Sequence, residues 1–284
     1  MRIWILGCGA VGTALGLRLS EQGHEVWGVR RDAAQVPAPL HALSADLVSG
    51  KGLERLPDGV EAVFYTASAG GGSEAEYRDV YVRGIGRLLA RLRASNERPR
   101  RVLFTSSTAV YGEEGGGWVD EDSECAPGSF NGRLLLEAEH RLYSSGLPAT
   151  VLRFGGIYGR EGVGRLVGAV RRGAPCREGQ YSNRIHRDDC AAALAHVLSL
   201  PVPAALYNAV DDAPDAQCEV MRWLAARLGV PPPVAGAAGP MPARGNKRCA
   251  NTRLKASGFR FQYPSYREGY GALLDALARE GSSA

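Results

Sequence analysis

The run Gly7-Cys8-Gly9-Ala10-Val11-Gly12 places glycine at its first, third and sixth positions, directly after the apolar stretch Arg2–Leu6. Each glycine has a separate use. The first allows a tight turn, the second lets a backbone approach a pyrophosphate, and the third lets a helix pack close to a strand. The free N–H groups and positive end of a helix starting at this point would face the phosphates. At the end of the next apolar run stand Arg30 and Arg31. Two guanidiniums suit a phosphate on the ribose and leave a bare 2′-hydroxyl without its acceptor. These residues therefore point to a dinucleotide, NADP(H), with NAD the weaker fit; Asp32, close behind, could still serve NAD. Ser107, four residues before Tyr111, adds hydroxyls able to hydrogen-bond a substrate oxygen. Ser107 could equally satisfy backbone groups at a strand end.

The elements that must hold these residues follow from the apolar pattern. Strands are predicted at Arg2–Leu6, His24–Val29, Leu40–Leu43, Glu61–Thr66, Arg101–Ser106, Ala149–Phe154 and Tyr207–Val210. A helix with the stripe Val11, Ala14, Leu15 and Leu19 ends near Gly23. Others run from the turn Gly70-Gly71-Gly72-Ser73 to about Ala94, from Phe130 to Ser145, and over Ala216–Leu228, Asn251–Ser257 and Tyr266–Ala278. Glu113–Gly128 is acidic, rich in glycine and without period, hence a loop; Pro231–Pro242 reads as a connector and Gly281–Ala284 as a frayed tail. Beyond Phe154 the alternation becomes irregular. Alternating strands and helices define an α/β fold, a Rossmann doubly wound parallel sheet with a smaller C-terminal substrate-binding lobe. The expected division is a dinucleotide-binding domain at 1–158 plus about 185–212, and a substrate lobe at about 159–184 and 213–284.

Composition narrows the partners. The chain is 45% hydrophobic and 23% charged, the balance of an ordinary globule. Its net charge of +4 comes almost wholly from arginine, and the arginines are dispersed among acids, which argues against a nucleic-acid surface. Cys8, Cys125, Cys176, Cys190, Cys218 and Cys249 are scattered, with no C-x-x-C pair and no histidine at ligand spacing. No metal site and no disulfide framework is expected, and the pattern suits a reducing cytoplasm. The first apolar run is too short for a signal-peptide core, and no stretch reaches membrane-spanning length.

Over almost its whole length the chain resembles the extended short-chain dehydrogenase/reductases of the sugar-nucleotide epimerase/dehydratase type. The resemblance rests on the glycine loop, Ala45-Asp46-Leu47, Thr66-Ala67-Ser68, Ser106-Ser107-Thr108-Ala109-Val110-Tyr111-Gly112 and Arg153-Phe154-Gly155-Gly156-Ile157-Tyr158-Gly159. Ile185-His186-Arg187-Asp188-Asp189 and Tyr207-Asn208-Ala209-Val210-Asp211 complete it. It implies that Asp46 and Leu47 contact adenine, and that Thr66, Ala67, Ser68, Phe154, Gly155 and Gly156 also contribute to the cofactor site. It further implies a homodimer through the helices 77–94 and 130–145.

The chain departs from that family where the chemistry is done. The family's Tyr-x-x-x-Lys pair sits on one helix face, where the ammonium lowers the phenol's pKa. Aligned on Gly132-Arg133 and Glu139, the chain offers Asn131 and Leu135 instead. Thr108 and Ala109 replace the dehydratases' Asp-Glu pair, and Tyr81 replaces an asparagine that faces the active site in relatives. Tyr81, Tyr111, Ser107 and Asn131 are the candidate reacting groups, with His186 as a further titratable side chain. In relatives the counterparts of Tyr111 and His186 are largely structural. Arg160, Arg165, Arg171, Arg172, Arg184 and Arg244 could meet an anionic small-molecule substrate. Two functions fit: NADP(H)-dependent hydride transfer to or from a small carbonyl, imine or alcohol, or a catalytically silent dinucleotide sensor or scaffold.

Overall fold

A computed structural model describes residues 1–70, 72–236 and 245–281. In chain order the elements are β1 (Arg2–Leu6), α1 (Ala10–Glu21), β2 (Glu25–Arg30), β3 (His41–Ser44), β4 (Ala62–Tyr65), α2 (Glu74–Tyr77), a π-helical segment Arg78–Arg83, and α3 (Gly84–Ala94). There follow β5 (Arg101–Ser107), β6 (Trp118–Val119), α4 (Phe130–Tyr143), β7 (Ala149–Phe154), β8 (Gly156–Tyr158), α5 (Arg160–Arg171), β9 (Arg184–His186) and α6 (Arg187–Ser199). The last are β10 (Leu206–Ala209), α7 (Gln217–Leu228), β11 (Arg248–Cys249), α8 (Thr252–Ala256) and α9 (Tyr266–Gly281).

The main sheet has seven strands in the order β10-β7-β5-β4-β1-β2-β3. β1 pairs in parallel with both β2 and β4, β2 with β3, and β4 with β5. β1 and β4 are buried almost throughout, as parallel strands covered on both faces must be, and so read as unbroken apolar runs. The chain lays β2 and β3 on one side of β1, then returns to place β4 on the other. That reversal opens a crevice beyond the carboxyl ends of β1 and β4, where ligands bind in sheets of this kind. Gly7 follows β1 and Thr66 follows β4.

The chain divides into two compact units. The first comprises Met1–Tyr111, Cys125–Arg153 and Cys190–Tyr207; the second comprises Gly112–Glu124, Phe154–Asp189 and Asn208–Ala284. By this division Gly112–Glu124 goes with the second unit and Cys190–Tyr207 with the first. The second unit has its own core, with Tyr158, Val163, Val167, Met221, Leu224, Tyr266 and Tyr270 among its members.

Several expectations need correction. The scattered cysteines include a disulfide, Cys176–Cys218, formed across 42 residues inside that second core. Nothing in their spacing announces it. Cys176, Glu178 and Cys218 form the one cluster of metal-ligand type among the described residues, and both sulfurs are spent on the disulfide. The stretch after Phe154 is not irregular: it carries α5 and α6. Glycines 162, 164 and 168 depress the helical signal of α5, although Val163, Val167 and Val170 still line one buried face; α6 is alanine-rich and apolar on most sides, so it shows no clear stripe. Glu113–Gly128 contains β6, paired in parallel with β11. Part of the Pro231–Pro242 connector, Arg244 and the tail Ser282–Ala284 lie outside the described residues, as does Gly71 of the glycine turn. No described helix is long and apolar enough to cross a membrane.

Candidate dinucleotide site

Each glycine of the amino-terminal loop has a distinct geometric demand. Gly7 has φ +92°, and a Cβ there would lie 2.3 Å from the Ala67 backbone. A Cβ on Gly12 would come 2.9 Å from both the Gly7 carbonyl oxygen and Thr66 Oγ1. These two glycines let β1, α1 and the Thr66–Ser68 segment close on one another. Thr66 fastens the join: its N–H donates to the Leu6 carbonyl at 2.8 Å and its hydroxyl to that of Gly7 at 3.0 Å. Gly9 differs. A Cβ there meets nothing nearer than the Gly7 carbonyl oxygen at 3.9 Å, so its backbone faces open space.

Gly9 is also the N-cap of α1, and no side chain caps that end. The first-turn N–H groups and the positive end of the helix dipole are therefore left for an anion. An open, glycine-floored helix start fits a pyrophosphate, with Gly7 to Gly12 as its cradle. Cys8 takes no part through its sulfur. Its side chain is fully buried against Gly28 and Thr13, and burial pushes the thiol's pKa up, keeping it protonated. Its carbonyl accepts from Arg30 Nη1 at 3.3 Å, which folds that arginine back over the loop.

The candidate ribose end comprises the residues after β2 and β3. Arg30 ends β2 and is partly buried, whereas Arg31 is exposed. Asp32 is committed elsewhere: Oδ1 accepts from Ala34 N at 3.2 Å and Oδ2 from Gln35 Nε2 at 2.7 Å. Asp46 accepts from the Val48 and Ser49 N–H groups at 3.0 and 3.2 Å. Burial alone would raise its pKa, but hydrogen bonds at Ser49 and Val48, with the charge of Arg31, hold it below the usual carboxylate value. Leu47 is buried beside it.

From Ala67 the chain leads to the aromatic groups. Tyr81 shares a hydrogen bond with the backbone at Ala69, and burial pushes its phenol up to about 12. It lies in the π-helical segment, and Tyr65 explains that segment. The Tyr65 hydroxyl donates to the Val80 carbonyl, which in a regular helix would accept from Gly84 N–H. Gly84 N–H reaches back five residues to Asp79 instead. Only glycine fits there, because a Cβ would sit 2.0 Å from the Tyr65 oxygen. Such bulges recur at functional sites. The Tyr81 ring meets Phe104 at 6.3 Å and Tyr77 at 5.3 Å, and Tyr77 meets Phe130 at 5.6 Å. Tyr77 was missed in the sequence; its signal was the four-residue spacing from Tyr81.

Phe130 opens α4, which carries Asn131 and Leu135 on one face. α4 packs tightly on the turn after β5, since a Cβ on Gly132 would lie 2.3 Å from the Ala109 carbonyl oxygen. Leu135 is buried, and Asn131 is half-buried. Ser107 caps the turn, accepting from Ala109 N–H at 3.2 Å, so its oxygen serves the backbone while its hydroxyl proton is still available to another acceptor.

One helical turn beyond Leu135 lies a buried ionic network. Glu139 accepts from Arg153 Nε at 3.1 Å and Nη2 at 2.6 Å, and it also bonds Ser106. Burial would lower the arginine's pKa, but its hydrogen bond and charge pairing with Glu139 raise it, so the guanidinium stays charged. It lies 4.9 Å from the centroid of Tyr111, whose ring is 2% exposed. Tyr111 is thus enclosed by the network rather than open to solvent.

The remaining candidates lie in the second unit. Phe154 is buried. Gly155 packs against the Asn183 backbone and donates to Ala209 O at 3.2 Å, while Gly156 N–H donates to Asn183 O. His186 Nδ1 accepts from Asp188 N–H at 3.2 Å, capping α6, and its ring packs on Tyr263 and Tyr158. Burial lowers its pKa, which favours the neutral ring. Of the arginines, Arg160 pairs with Glu280 and Arg184 is buried beside Ser182 and Tyr266, whereas Arg165, Arg171 and Arg172 are exposed.

A Rossmann sheet with a glycine cradle at its switch point defines a nicotinamide-dinucleotide protein of the oxidoreductase or epimerase type. The chain belongs to the NAD dependent epimerase/dehydratase family, whose model matches residues 3–208. It is 40% identical to a solved structure from Methylobacillus flagellatus described as an NAD-dependent epimerase/dehydratase, over 98% of each chain, with a TM-score of 0.82. Protein YeeZ of Escherichia coli K12 is 28% identical over 82% of this chain and 85% of its own length. A 3-diazoavenalumate denitrifying reductase of Streptomyces is 26% identical over 95% of this chain and 99% of its own. More distant structures of the same fold were crystallised with NAD.

Proposed function

We propose that the protein is an NADP(H)-dependent oxidoreductase that reduces a small, reactive carbonyl or imine, with the corresponding alcohol or epimerisation chemistry as the reverse or related use. The observation that carries this reading is the Tyr81 phenol, tied to the segment that closes on the glycine loop, in a chain whose α4 offers only Asn131 and Leu135. The bound reduced nicotinamide would supply a hydride to the substrate carbon. The balancing proton then comes to the substrate oxygen or nitrogen from Tyr81 or through the Ser107 hydroxyl. A phenol with a pKa of about 12 is protonated at neutral pH, so it donates and does not abstract. That favours reduction over alcohol oxidation. Tyr111, beneath Arg153, is the weaker candidate, and Asn131 is a hydrogen-bonding group without a proton to exchange.

NADP is preferred on the strength of Arg30, Arg31 and the engagement of Asp32. The family's name and the NAD of the distant structures weigh the other way. Reduction of a reactive nitrogen- or oxygen-bearing group accords with the name of the Streptomyces relative. We further propose a cytoplasmic homodimer assembled through α2, α3 and α4, to be checked by sedimentation.

The test is oxidation of NADPH and NADH against a panel of small carbonyls, imines and diazo compounds. Turnover with one member, faster with NADPH, is the expected result. Tight dinucleotide binding with no turnover anywhere in the panel would favour the silent sensor. Appearance of activity only in the double variant Asn131→Tyr, Leu135→Lys would then identify a disabled site.

A further inference from the structure

The second unit holds a group that the cofactor site leaves unused. Arg248 and Trp118 face each other across the β6–β11 pair, and the guanidinium carbon lies 5.1 Å from the Trp118 ring and 4.7 Å from that of Tyr181. The cation is therefore held between two aromatic rings. Its Nε donates to the Gly116 carbonyl at 2.8 Å, and its backbone N–H to that of Gly117 at 2.8 Å. Tyr181 is fixed in turn, because its N–H donates to Asn246 Oδ1 at 2.8 Å. Gly116 has φ +84°, and a Cβ there would come 3.0 Å from the Tyr181 ring, so the loop is shaped to admit that ring.

The neighbouring acids are engaged elsewhere. Glu113 accepts from Gly115 and Gly117 N–H groups and, with Glu114, faces the buried ammonium of Lys247. Glu121 and Asp122 face Arg253. Among the described residues no carboxylate lies within ion-pairing distance of Arg248, and its two terminal nitrogens have no protein acceptor. Trp118 is 59% exposed, a large apolar surface beside an uncompensated charge.

We propose that the Trp118–Arg248–Tyr181 stack is a binding site for an oxyanion, the carboxylate or phosphate of a small molecule. Its terminal nitrogens form a planar fork that matches either group bidentately. Stacking fixes the fork before binding, so little side-chain freedom is lost on capture. The exposed Trp118 ring offers a platform for the uncharged part of the ligand. The site stands whether or not the dinucleotide end performs hydride transfer.

The full chain can be titrated by calorimetry with inorganic phosphate and, separately, with glucuronate. Saturable binding of one of them is expected; phosphate alone identifies a phosphate-bearing ligand and glucuronate alone a carboxylate. Arg248→Gln should weaken that binding about ten- to a hundredfold, whereas Arg222→Gln, at an arginine already paired with Glu178 and Glu219, should leave it unchanged. In the unmodified protein, the same anion should slow reaction of Arg248 with phenylglyoxal, read by peptide mapping. This arm decides the matter should Arg248→Gln fail to fold. The proposal is overturned if neither anion binds saturably, if Arg248→Gln binds as well as the parent, or if Arg248 is not protected.

Discussion

The two ends of the first unit differ in what they leave to side chains. At the glycine loop, recognition is done by backbone: Gly7, Gly9 and Gly12 clear space, and the uncapped start of α1 supplies the donors. At α4, by contrast, Asn131 and Leu135 occupy a half-buried and a buried position of one helix face, where on the proposed reading the family's phenol and ammonium would stand. Any small set of side chains able to deliver a proton can replace such a pair, but little can replace a glycine whose Cβ would strike a backbone. On the proposed function, the binding end is therefore kept while the reacting end is rebuilt around Tyr81.

Removing the Tyr81 hydroxyl is the strongest way to break that contrast. Tyr81→Phe should lower turnover about a hundred- to ten-thousandfold, the usual contribution of a positioned acid, with dinucleotide affinity unchanged by fluorescence titration. In the parent the basic limb of the rate profile should come only near pH 12, because the protonated, donating form persists up to that value. A fall near pH 7 would assign the proton to another group.

The ionic network under α4 comes next. Arg153→Met leaves Glu139 buried and unpaired, which should cost about 3–5 kcal/mol of stability in denaturant melts. It also removes the cation over the Tyr111 ring. Lost stability with retained turnover in the folded fraction would mark Tyr111 as structural. A specific loss of turnover would instead bring Tyr111 into the chemistry.

A smaller effect is expected at the ribose end. Arg30→Ala with Arg31→Ala should weaken NADPH about tenfold or more, through lost charge-assisted hydrogen bonds, while NADH binding changes little. Equal losses for both would show that the arginines do not read the 2′-phosphate.

The amino-terminal half was largely legible in the sequence because its signals are local. β1, the glycine loop, α1 and β2 follow within thirty residues, and the buried parallel strands are apolar runs. What was hidden depends on partners far along the chain. β6 and β11 are two-residue strands paired across more than a hundred positions, and Cys176 bonds Cys218 across a sequence separation of 42. The π-helical segment arises from one hydroxyl, that of Tyr65, reaching into a helix whose periodicity gives no hint of it. Arg248 carries no motif, and its setting comes only from Trp118 and Tyr181, both far from it in the chain. Ser107, left open between substrate and backbone, proves to cap its turn with its oxygen while keeping a proton to donate.

The open backbone at Gly9 is the floor of the dinucleotide cradle. NADPH fluorescence titration of the parent and of Gly9→Val tests it most directly, since a Cβ there meets no protein atom closer than 3.9 Å and the fold should survive. Saturable one-to-one binding by the parent, weakened about a hundredfold or more by the valine that fills the cradle, is the result expected. Equal binding by both proteins, or none by the parent for either NADPH or NADH, would contradict it.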